Sequence, residues 1–190
     1  MKLTKDEAER LNTQIIEYLG EYSQAFGIKK DFALSILDNH IEIIPEMQKR
    51  DIIFLGKNAK SIKPGNIKID LKGLVMAAVE FASSVGVPDT LFEFIQLVLQ
   101  GCIFIFKVTQ VKLGKEEAEV VYVLHEIGAY RNEVEESRVK EELCKMIKNG
   151  KIKEFSLNRF DELINNLLKI HVISLNDGKI ELKEYVWGKQ

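Results

Sequence analysis

Cysteine is too sparse here for a disulfide framework and wrongly spaced for a zinc site. The chain has two, Cys102 and Cys144, far apart and with no CxxC pair. Free thiols of this kind fit a reducing cytoplasm, and a cytoplasmic location is the expectation. Proline is equally scarce, with three residues in 190 and no low-complexity run, so a folded chain is expected. There is no excess of positive charge: 27 basic residues face 29 acidic ones, a net of −2. A dedicated nucleic-acid binder ordinarily carries a basic surplus, so any such binding must come from a local patch. The opening MKLTKDEAER lacks the apolar run of a signal peptide.

Catalytic signatures are missing too. There is no GxGxxG, GxSxG or HExxH, and GKNAKS (56–61) lacks the residue order of a phosphate loop. His40 lies near Asp38 and Glu42, a surface-loop arrangement in the first instance and a metal cluster only in the second. His125 has no second ligand at helical spacing, and His171 opens a hairpin. No catalytic residue, cofactor or metal site is therefore assigned, and the chain is read as a non-enzyme.

The 46% of residues that are hydrophobic suffice for one compact domain or two small ones. Thr4 to Phe26 reads as a first helix. TKDE (4–7) has capping-box form, and Leu11, Ile15, Tyr18, Tyr22 and Ala25 recur on one face. Two heptads are short for a coiled coil, so this is a bundle helix before it is a dimerisation helix. Asp31 caps a second helix over 32–40; the runs IEII (41–44) and DIIFL (51–55) allow short strands, but a third helix over Pro45 to Leu55 is preferred. Leu71–Val85 and Leu91–Val111 form an αα-hairpin, with Asp89 capping the second member. That second helix is apolar enough to raise the question of a membrane. Glu93, Gln96, Gln100, Lys107 and Gln110 nevertheless share one arc, which suits a core helix with a thin solvent stripe and no stable membrane insertion.

The C-terminal part begins with a helix from about Leu113 to Gly128 and continues with one from about Val134 to Lys148. KIKEF (151–155) suggests a short strand. Ser156 then caps a helix whose apolar face is Leu157, Phe160, Leu163, Ile164, Leu167 and Leu168. HVISL, NDG and KIELKEY follow, and Asn-Asp-Gly between alternating residues is strong hairpin chemistry. Three helices followed by a hairpin over Lys115–Tyr185 resemble a winged-helix domain. The resemblance rests on element order and hydrophobic pattern. Its departure is the strand between the first two helices, for which Ala129–Glu133 is the candidate segment. The expected fold is therefore mostly α: a helical region over 1–112, then a winged-helix-like domain with one β-hairpin over 113–190.

In a winged helix the helix before the hairpin commonly enters the major groove. Here its outward residues should be Asn158, Arg159, Asp161, Glu162, Asn165, Asn166 and Lys169, with Lys179 near the hairpin tip. Arg, Asn and Lys suit bases or phosphates, but Asp161 and Glu162 would repel a backbone. Lys115 to Gln190 holds 13 basic and 15 acidic residues. The one basic stretch is Lys49–Lys72, with Lys57, Lys60 and Lys63 near its centre; lysines in a loop are ordinarily just solvated. Asn158, Arg159, Asn165, Lys169, Lys179, Lys57, Lys60 and Lys63 are the candidate contacts. The leading reading is an interaction or assembly component that binds a partner protein or itself, a homodimer being one form. The second is a dimeric DNA-binding regulator.

Overall fold

The computed structural model describes residues 4–25, 28, 30–43, 67–85 and 88–188. Thr4 opens helix α1 (Lys5–Ala25) through the capping box that its sequence implies: the Glu7 N–H donates to Thr4 Oγ1 at 3.3 Å, and the Thr4 N–H donates to Glu7 Oε2 at 2.8 Å. Its buried stripe runs through Ala8, Leu11, Ile15 and Leu19 to Ser23. Tyr18 and Tyr22 sit half-buried on the flank and Ala25 is exposed, so the stripe is rotated slightly from the one the apolar spacing implies. Helix α2 (Lys30–His40) follows and leads into strand β1 (Ile41–Ile43). The Pro45–Leu55 helix, the Pro64-Gly65 turn, Gly27, and Lys57, Lys60 and Lys63 lie outside the described residues.

Strand β2 (Ile67–Asp70) runs directly into α3 (Leu71–Val85). Asp70 makes that change of direction stable by accepting the Gly73 N–H at 3.0 Å, an N-cap bond. Helix α4 (Pro88–Phe106) starts with proline at its first position, where the missing N–H costs nothing. It therefore begins earlier and ends earlier than the run 91–111, and Asp89 lies inside its first turn. Its apolar residues are buried almost all round. Gln100, expected on a solvent stripe, is only 8% exposed, and Tyr18 Oη donates to its Oε1 at 3.4 Å.

Helix α5 (Lys115–Glu126) is the centre of the molecule: every residue from Glu117 to Leu124 is buried. It packs on α4 on one side and on α6 (Glu136–Lys148) and α7 (Phe160–Lys169) on the other. Strand β3 (Val134–Glu135) lies between α5 and α6, just past the segment that sequence reading proposed, and a parallel bridge joins Tyr130 to Leu182. KIKEF forms no strand, although Ile152 is fully buried.

The hairpin is strand β4 (Ile173–Asn176) and strand β5 (Lys179–Leu182), paired antiparallel with Asn176 opposite Lys179. Asp177 (φ 49°) and Gly178 (φ 74°) form a two-residue turn with both central residues left-handed, the geometry whose twist matches the strands. With β3 against β5, the order is helix, strand, helix, helix, hairpin. The fold is mostly α with a C-terminal hairpin, as the sequence implies.

Strand β6 (Tyr185–Gly188) does not stay with that hairpin. It pairs antiparallel with β2, from Asp70 opposite Tyr185 to Ile67 opposite Gly188, completing a second three-stranded sheet in the order β1-β2-β6. The division at 112/113 is thus crossed by a hydrogen-bonded strand, and the buried side chains from Leu11 to Val186 form one contiguous cluster.

Candidate nucleic-acid or partner interface

The face built by α7 and the β4–β5 hairpin begins with a single 3₁₀ turn, Leu157–Arg159, before the α-helix proper. The Ser156 side chain makes no capping bond. The Ser156 N–H instead donates to Glu116 Oε1 of α5 at 2.8 Å. Arg159 is drawn to the same carboxylate, its Nη1 on Glu116 Oε2, while its Nε donates to Glu162 Oε2 at 3.0 Å. Each partner shifts the other: the Arg159 guanidinium holds the Glu162 carboxyl below the usual range, and Glu162, with Glu116, raises the guanidinium further.

Other cations on this face are held in the same way. Lys140 of α6 lies 3.8 Å from both Glu136 and Asp161, over the Phe160 ring at 4.6 Å. Lys179 sits 3.7 Å from Glu135. Asn158, Asn165 and Lys169 are exposed, as the helical spacing implies. Asn166 is not: it is 9% exposed and donates its side-chain N–H to Glu117 Oε1 at 2.9 Å. Its outward assignment is corrected on that ground. Ten residues of α7 turn far enough to place Asn166 over the start of α5, where a buried carboxylate needs a donor. Leu157 and Leu175 add exposed apolar surface, at 40% and 37%.

A second polar group, not visible in any local pattern, lies where β6 meets the helices. Glu184 accepts from Lys72 at 3.2 Å and from Arg131 at 2.6 Å. Asp70 lies 3.3 Å from His40 Nδ1. His125 Nδ1 lies 3.0 Å from the Tyr130 hydroxyl, and Lys72 stands over the Tyr130 ring at 5.2 Å. Burial pushes the His125 pKa down and the Tyr130 pKa up. These side chains come from α2, β2, α3, α5 and the turns around them, so no local motif could announce the cluster. Every carboxylate in it faces a cation or a helix N–H, which makes it a clamp between elements.

Cys102 is fully buried in α4, and burial pushes its thiol up to about 12; Cys144 is half-buried on α6. The Cys102 environment does not favour a thiolate. Among the described residues no group of three His, Cys, Asp or Glu side chains is arranged to hold a metal ion, and no helix is long and apolar enough to cross a membrane. No family model, curated protein or solved structure matches the chain.

Proposed function

We propose that the protein is a non-enzymatic interaction or assembly component that works in the cytoplasm and binds a partner protein, or a second copy of itself, through the α7–hairpin face. The observation that supports this most is the internal neutralisation of that face. Arg159, Lys140 and Lys179 each stand against carboxylates of the same chain. A phosphate backbone would have to displace those partners and then lie beside Asp161 and Glu162. A protein surface need not, because exposed Leu157 and Leu175 with Asn158 and Asn165 make a mixed apolar and hydrogen-bonding patch.

The second reading, a winged-helix DNA-binding regulator, draws on the element order and on exposed Asn158, Asn165 and Lys169. One pair of experiments separates the two. A labelled mixed-sequence duplex is titrated with protein at low and near-physiological salt, and a photo-crosslinking residue is placed at Asn165 and, as a control, at exposed Gln24. The leading reading expects no salt-sensitive duplex binding and a discrete protein adduct from position 165 alone. Duplex affinity that falls steeply with salt and drops in Lys169→Ala moves the function to the second reading.

A further inference from the structure

Between α1 and the end of α4 lies a cleft of about 370 Å³, lined by Leu11, Tyr18, Ile103, Phe104 and Val108 with Lys107 at its rim. That volume is at the low end for small-molecule sites, which run from about 300 to 1,000 Å³ and are mostly apolar with a few placed polar groups. The walls fit that description. Tyr18 packs on Phe104 with ring centroids 4.7 Å apart and on Tyr22 at 4.9 Å.

Gln14 and Thr109 also line the cleft, but Lys107 supplies its one charged group, and its backbone is unusual. Helix α4 ends with the Lys107 N–H donating to the Phe104 carbonyl at 3.3 Å and the Val108 N–H to the Ile103 carbonyl at 3.1 Å. This closure puts Lys107 at φ 53°, in the left-handed region that glycine occupies without strain. Among the described residues three other non-glycine residues share a positive φ, and all four, Lys107 included, sit where a turn or a helix end requires it. Arg131 pairs with Glu184, the His171 ring packs on Phe106 at 4.7 Å, and Asp177 forms the hairpin turn. Lys107 is exposed, and no carboxylate of the described residues pairs with it. A strained lysine at the mouth of an apolar cleft, without a carboxylate partner among the described residues, has the chemistry of an anion receptor.

We infer that this cleft binds a small free amphiphile with a carboxylate head, its apolar tail lying on Tyr18, Ile103 and Phe104 and its head on the Lys107 ammonium. The site is remote in sequence from the α7 face and does not depend on the reading given to that face.

The test is calorimetric titration of the full chain with octanoate, octanol and octylamine below their micelle-forming concentrations, with amide NMR shifts locating the site. Octanoate should bind and shift Tyr18, Lys107, Val108 and Thr109. Lys107→Gly should weaken octanoate about tenfold, in line with loss of one charge-assisted contact, and leave octanol unchanged. The same substitution should raise the melting temperature, because glycine relieves the backbone, so lost affinity cannot be ascribed to misfolding. Lys107→Arg should keep most of the binding. The inference is overturned if octanoate does not bind, if its shifts map elsewhere, or if wild type and Lys107→Gly bind it equally.

Discussion

Glu117 of α5 and Asn166 of α7 are joined by a 2.9 Å hydrogen bond, and both side chains are buried. The other Glu117 oxygen accepts the Gly114 N–H at 2.7 Å. Gly114 has no side chain to cap α5, so Glu117 performs half of a capping box and ties down a second helix at the same time. Replacing Asn166 with Ala leaves a buried carboxylate oxygen short of a donor. The expected loss is about 1–3 kcal/mol, read as a lower urea midpoint at unchanged slope. Asn166→Asp should be worse than Ala, because it sets two carboxylates together away from water.

His125 predicts a pH dependence. Burial lowers its folded pKa from the ordinary 6.5, so near that pH the unfolded chain binds more protons than the folded one. Stability should therefore fall as pH drops through about 6.5 toward the lower folded value. Urea midpoints measured from pH 7.5 down to 5.5 should show this decline in wild type. A flatter profile is expected for His125→Gln, which keeps a hydrogen-bonding group beside Tyr130 but does not titrate.

Arg159 and Glu162 form an exposed pair, so their worth to stability is small. The local electrostatic effect is still measurable. In Arg159→Ala the Glu162 carboxyl should titrate at higher pH than in wild type, because the guanidinium that stabilises its charge is gone. Carbon-detected NMR of the side-chain carboxyls reads this directly, while the urea midpoint should hardly move.

Two glycines distinguish strain from crowding. At Gly178 an added methyl meets nothing within 4 Å, but φ is +74°, so Gly178→Ala should cost about 1 kcal/mol through backbone conformation alone. At Gly188 a Cβ would collide with Ile105 Cγ2, a side chain only 1% exposed. Gly188→Ala should therefore cost more, about 1–3 kcal/mol, by forcing β6 off α4. Ile105→Ala, which removes Cγ2, should cost less in the Gly188→Ala background than in wild type, and independent costs that simply add would argue against the contact.

The pattern of what sequence reading captured follows the range of the forces involved. The Thr4–Glu7 box, the α3–α4 pair and the Asp177-Gly178 turn depend on residues within a few positions of one another, and each was legible. Burial of α5 on all sides was not, because its Glu117 and Glu119 look solvent-facing, yet both are buried, Glu117 against Asn166 of α7. Arg159 reads as a free cation on helical spacing. Its partner Glu116 lies 43 residues earlier, and nothing in the local pattern could pair them. The pairing of sheet β1-β2-β6 was not legible for the same reason, although the run at 41–44 that supplies β1 also reads as a short strand: its strands are three or four residues long and their partners are remote.

Strand β6 also bears on the order of folding. Until Tyr185–Gly188 exist, β2 lacks one of its two neighbours and the end of α4 lacks the backbone that Gly188 brings against Ile105. The N-terminal core then cannot mature in step with synthesis, and its last contacts must close a loop that spans most of the chain. Such closure is entropically slow. Truncation before Tyr185 should therefore leave a chain whose hairpin forms and whose first sheet does not, with Ile67 and Ile69 exposed to other chains.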